Sequence, residues 1–77
     1  PAYETINFGV MLPKDGRVNI RFIDILGQQM YSKDFDGVKG YNKLTISTMA
    51  LNAAVYVAEV SFDGIIIREK FMRKDRK

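Results

Sequence analysis

Seventy-seven residues with 47% hydrophobic and 27% charged side chains leave room for one core, which excludes a second domain and makes residues 1–77 a single unit. With no Cys and no His, the Cys nucleophile, the Ser–His pair and the usual zinc ligands are absent, so an enzyme is not expected, nor any catalytic residue, metal or cofactor. The net charge of +3 is unevenly placed: Arg68, Lys70, Arg73, Lys74, Arg76 and Lys77 stand against only Glu69 and Asp75, six against two for +4, while the remaining six basic and seven acidic groups give −1.

Basicity is therefore a property of the last ten residues, and a basic end is most often just solvated. Nucleic acid is not expected as a partner, because aromatic residues are not interleaved with that basic run beyond Phe71. No run approaches the roughly 18 apolar residues of a membrane span. The chain opens on Pro1 rather than Met, as a piece cut from a longer precursor would. A domain this size buries only about 60% of the surface its unfolded chain exposes, so marginal stability is expected, with dependence on a neighbour or on self-association.

Along the chain the hydrophobic period is two. Ile6, Phe8, Val10 and Leu12 alternate with Asn7, Gly9 and Met11, and Pro13 to Gly16 reads as a turn. Val18, Ile20 and Phe22 repeat the pattern in a second strand, which pairs with the first as a hairpin in this reading. Asp24-Ile25-Leu26-Gly27 has the residues of a type I turn, with the carboxylate placed to accept backbone N–H groups. A weakly patterned strand over Gln28 to Phe35 follows, exposed on one face or at an edge, and Asp36 to Gly40 reads as a loop. The neighbouring Asp34 and Asp36 read as solvated loop acids.

Leu44 and Ile46 mark a short fourth strand, and Thr48 to Ala54 is a connection anchored by Leu51. Tyr56, Ala58, Val60 and Phe62 then share one parity, and Asp63-Gly64 is a hairpin dipeptide. In the last strand, Ile65 to Lys74, the parity of Ile65, Ile67 and Phe71 includes Glu69, so either Glu69 sits at the rim or a bulge shifts the register. Strands at short, regular spacing with no amphipathic helix indicate an antiparallel sandwich or a small barrel.

Taken in order, the Ile6-Asn7-Phe8 strand ending in Leu12-Pro13-Lys14-Asp15-Gly16, Val18 to Asp24-Ile25-Leu26-Gly27, Leu51 to Tyr56, Asp63-Gly64 and Lys70-Phe71-Met72-Arg73-Lys74 resemble one family. That family is the C-terminal sorting domain of cargo proteins of the type IX secretion system of Bacteroidota. The resemblance implies an all-β, antiparallel Ig-like β-sandwich of about six to seven strands. It implies an address rather than a catalyst: the domain directs an attached cargo across the outer membrane through a translocon. A sortase-like peptidase then commonly removes it and can attach the cargo to the cell surface. The route runs through the periplasm to the surface or the exterior.

On this resemblance Lys70, Phe71, Met72, Arg73 and Lys74 are the recognition residues, and Asp24, Gly27, Ala54, Tyr56, Asp63 and Gly64 are motif and turn positions. Ala54 stands where the family usually has Gly, so that position is either strained by roughly 1 kcal/mol, if it needs positive φ, or serves close packing that Ala satisfies. Read without the family, Tyr56 is a core aromatic whose hydroxyl reaches the rim, and Asp24 and Gly27 are turn formers. The terminal lysines and arginines serve recognition or edge protection equally well. A cell-surface Ig-like adhesion or carbohydrate-binding module is the alternative, with Tyr3, Tyr31 and Tyr41 as its aromatic platform. A homodimer through the edge strands is expected from Ile65-Ile66-Ile67.

Overall fold

The period of two becomes six strands in the computed structural model, which describes residues 4–74: β1 (Thr5–Leu12), β2 (Gly16–Ile23), β3 (Gln29–Gly37), β4 (Gly40–Ser47), β5 (Ala54–Phe62) and β6 (Ile65–Arg73). No helix occurs among the described residues. All pairings are antiparallel: β1 with β4 in a two-stranded sheet, and β3-β2-β5-β6 in a four-stranded one. The small sheet packs on the large one as an Ig-like β-sandwich, with the alternating apolar residues of both turned inward.

The expected hairpin of β1 with β2 does not form, because the two strands lie in different sheets. Pro13 to Asp15 form an arch across the sandwich, and Asp15 accepts the Lys39 amide at 2.7 Å, fastening the arch to the β3–β4 connection. Alternation alone does not separate the two outcomes. A hairpin puts the apolar sets side by side and an arch puts them face to face, with the same residues inward either way.

The expected loop over Asp36 to Gly40 shrinks to Val38 and Lys39, since β3 runs to Gly37 and β4 begins at Gly40. Gly37 is there for close approach: a Cβ would run into the Leu12 and Val18 side chains. Asn42 organises the crossover, its amide accepting from Val38 N at 3.0 Å and donating to Val38 O at 2.9 Å. Asp34 and Asp36 are strand rather than loop residues, on the outer face of the large sheet, where Arg17 approaches them at 3.9 and 3.5 Å.

β3 is the edge strand its weak pattern suggested, with Met30 bulged out between the pairs Phe22↔Tyr31 and Ile23↔Gln29. The turn before it is a three-residue loop. Asp24 N donates to Gln28 O at 3.0 Å, the Asp24 carboxylate accepts Leu26 N and Gln28 N at 2.9 Å each, and Gly27 takes φ 83°. The β5–β6 turn uses Asp63 at φ 49° and Gly64 at φ 81°, as the hairpin dipeptide implies.

The alternating apolar residues Ile6, Phe8, Leu12, Val18, Ile20, Phe22, Leu44, Ile46, Tyr56, Val60 and Phe62 are buried or half-buried on the inner faces, and the anchor Leu51 is buried in the β4–β5 connection. Phe22 is at the centre, fully buried, stacked on Tyr31 at 4.9 Å and edge-on to Phe71 at 4.9 Å. Such contacts add about 0.5–1.5 kcal/mol each beyond their burial. At the other end Val10, Leu12, Val18 and Phe62 form a smaller cluster, with Val60 packed against both.

Candidate functional site

The residues of β6 separate by parity. Its pairing partners Tyr56, Val60 and Phe62 belong to the core, which places Phe71, Ile67 and Ile65 on the inner face, along with Glu69 opposite Ala58. The register is unbroken, so the alternative of a bulge falls away and Glu69 sits at an open rim. Of the expected recognition residues, Phe71 is held by Phe8, Phe22 and Tyr56. Arg73 is a clasp: its guanidinium donates to Thr48 O at 3.1 Å and to Lys74 O at 2.7 Å, joining the end of β6 to the β4–β5 connection. Thr48 is itself fully buried, a position for which its sequence context carried no signal.

Lys70 and Met72 occupy the opposite, outer face, Lys74 follows on the same parity, and all three are exposed. Across the sheet Lys70 is level with Val57, which is level with Ile23, so Ile23, Val55 and Val57 form a half-buried apolar strip beside Met72. At the same end the Asp24–Gly27 turn holds Ile25 and Leu26 83% and 78% exposed. This strip was missed from the sequence. Its signal was present, since Val55 and Val57 make β5 apolar on both parities, which a strand solvated on one side does not need.

The rest of the outer face is charged. Glu59 receives Arg68 Nε at 2.6 Å and Arg21 Nε at 2.8 Å, bridging β2, β5 and β6. Its side chain is only 7% exposed because the two guanidiniums cover it, not because it enters the core. The hydrogen bond from Arg68, then that from Arg21, holds its carboxyl below the usual carboxylate range. Arg68 is thus accounted for by the fold, and the charges on this strip left for other use are Lys70 and Lys74.

Tyr56 is buried with its hydroxyl donating to Asn52 O at 2.7 Å, four residues upstream, the corner arrangement of Ig-like sandwiches. Ala54 opens β5 without strain, since Asp63 alone among the described non-glycine residues has positive φ. Asp63 and Gly64 lie at the far end of β6 from Lys74, so the six motif positions do not gather into one site. The proposed aromatic platform does not assemble: Tyr31 stacks into the core, Tyr41 is exposed on the small sheet, and Tyr3 lies outside the described residues, as do Arg76 and Lys77.

With the sandwich, the corner tyrosine and the lysine-bearing last strand in place, comparison with known families is decisive. The chain matches the secretion system C-terminal sorting domain over residues 1–74, nearly its whole length, and belongs to that family, the sorting domain of type IX secretion. No curated protein and no solved structure matches the chain. Membership implies an interaction with the type IX secretion machinery and export through the outer membrane to the cell surface.

Proposed function

We propose that the domain is a non-enzymatic secretion signal which the outer-membrane translocon reads at the outer face of β6, through Lys70, Met72 and Lys74. One observation carries this reading. Phe71 and Arg73 are committed to the fold, whereas Lys70, Met72 and Lys74 share one exposed face beside an apolar strip and their side chains have no partner among the described residues. A cationic and apolar surface of this kind fits an acidic, partly apolar receptor groove, with the backbone of β6 free to pair at the sheet edge. The cargo reaches the periplasm by a separate signal, and after translocation a sortase-like peptidase removes the domain and joins the cargo to the cell surface.

The test is the double substitution Lys70→Gln with Lys74→Gln in a reporter fused to the domain, in a bacterium carrying the type IX machinery. The melting temperature stays unchanged and surface delivery falls sharply. Delivery at the unsubstituted level would reduce the lysines to edge protection and move the signal into the sandwich.

Self-association through β6 is a weaker contact in the same reading. The full-length antiparallel register sets Glu69 against Glu69 and Arg68 against Lys70, so like charges oppose it. A register centred on Ile67 sets Ile67 against itself, Ile66 against Arg68 and Ile65 against Glu69, which avoids like-charge pairs and holds the contact to a short dimer. Sedimentation that stays monomeric to high micromolar concentration would count against it.

A further inference from the structure

The two-stranded sheet covers only part of the four-stranded one. Beyond β1 a slot opens whose floor is Ala58, Val60, Ile67 and Glu69 and whose wall is the edge of β1 from Phe8 to Met11. It continues along β1 to Ile6, with Phe71 closing its far end. β1 pairs with β4 alone, so the edge lining the slot has no strand beside it, and its sequence, TINFGVML, contains neither a charge nor a proline to discourage one. The floor has the character of a core face left bare: Ile65 and Ile67 share the parity of Phe62 and Val60 yet are 60% and 59% exposed.

We infer that this slot accepts one extended strand of another polypeptide, added to the small sheet along β1. Its alternate side chains would be apolar over Val60 and Ile67 and cationic against Glu69. The occupant's chemistry follows from the floor. Among the described residues Glu59 has Arg21 and Arg68, Asp34 and Asp36 have Arg17, Asp63 has Lys14, and Asp15 and Asp24 accept backbone amides; Glu69, like Glu4, has no cation, and Glu69 faces into the slot. A strand closing over it would desolvate that carboxylate, so an unpaired one selects for lysine or arginine at that position.

A second copy fits poorly. β6 overhangs the edge of β1, so joining β1 to β1 about a two-fold axis would drive the two overhanging β6 strands into the same space. A lone extended segment meets no such obstacle. The mode is strand addition, in which the backbone supplies affinity and alternate pockets supply selectivity. The slot lies on the inner face of the large sheet and the lysine surface on its outer face; Lys70 borders both, so Lys74 is the residue that separates the two tests.

The experiment is an NMR titration of the isotope-labelled domain with the peptide Thr-Lys-Thr-Val-Thr-Val-Thr and with the same peptide carrying Glu in place of Lys. The lysine peptide shifts amides of β1 and of β6 from Ile65 to Phe71 and leaves Lys74 and Ile23 unmoved. Glu69→Lys weakens it by about tenfold and reverses the preference toward the glutamate peptide. Ile67→Asp abolishes both without loss of fold, because the side chain is exposed, while Lys74→Gln changes nothing. Absence of binding, shifts centred on the outer face, or indifference to Ile67→Asp would overturn the inference. Affinity that falls as protein concentration rises would give the slot to a second copy. Loss of binding in a chain extended upstream would give it to the protein's own preceding segment.

Discussion

The two halves of β6 share one strand, one register and one alternation, yet their surroundings are opposite. At the Arg73 end, the inner-facing Phe71 is packed among Phe8, Phe22 and Tyr56. At the turn end, the inner-facing Ile65 and Ile67 are more than half exposed. Side-chain parity decides which face a residue takes, but burial on an edge strand depends on whether anything lies across from it. The covered half holds the fold together and displays Lys70, Met72 and Lys74 on its back, whereas the bare half is an opening.

The largest effect that can test this contrast is Phe71→Ala. Removing a ring that touches three other aromatic residues should cost about 3 kcal/mol, measured as a lower urea midpoint at unchanged slope. Marginal domains have roughly 5–15 kcal/mol in all, so the variant should unfold near physiological temperature. A loss below about 1 kcal/mol would mean that the covered end is as loosely held as the bare one.

Next in size is the clasp. Arg73→Gln removes a guanidinium that donates to Thr48 O and Lys74 O, and should cost about 1 kcal/mol in thermal unfolding. The same change at Lys70, on the exposed face of the same strand, should fall within about 0.5 kcal/mol of zero. Equal losses at both positions would erase the distinction between fold-committed and available cations.

Midway along the strand Arg68 and Glu59 join the two halves to β2, and here pH is the lever. The Glu59 carboxyl is held below its ordinary range by Arg68 and Arg21, so the unfolded chain takes up that proton first as pH falls. Its contribution to stability is therefore complete above the ordinary glutamate value of about 4.3, and is lost as pH drops from there through the lowered folded value. Denaturation midpoints measured from pH 7 to pH 3 should fall in that window, and Glu59→Gln should flatten the fall. An unchanged profile in the variant would show that the acid limb comes from other carboxylates.

How much of this was legible follows from the kind of signal each feature leaves. Alternation marked β1, β2, β4 and β5 with their inner faces, because parity is local, whereas β3 showed only a weak pattern and β6 was left between a rim Glu69 and a bulge. The turns at Asp24–Gly27 and Asp63–Gly64 were legible for the same reason, since each rests on the φ or the carboxylate of its own residues. The β1–β2 arch was not, because partner choice depends on the whole sheet and leaves the inward set of both strands unchanged. Glu59 leaves no signal of its own in the sequence, because its two arginines arrive from β2 and β6, thirty-eight and nine residues away. In the recognition segment, sequence named five residues, and only the register separates Phe71 and Arg73, which serve the fold, from Lys70, Met72 and Lys74.

The smallest expected effect lies in the bare half. Ile67→Thr removes apolar atoms from a side chain already 59% exposed and keeps a β-branched residue on the strand, so the stability of the isolated domain should change by no more than about 0.5 kcal/mol. The informative measurement is the same substitution read at several protein concentrations and with the slot peptide present. If Ile67 is solvated in the free domain, the variant and the parent melt together when alone and separate only when the peptide is added, because the peptide stabilises the form it binds. A loss above about 1 kcal/mol in the dilute, peptide-free domain would mean that Ile67 is already covered in solution. The two halves of β6 would then be alike, and the opening beside β1 would have an occupant within the molecule itself.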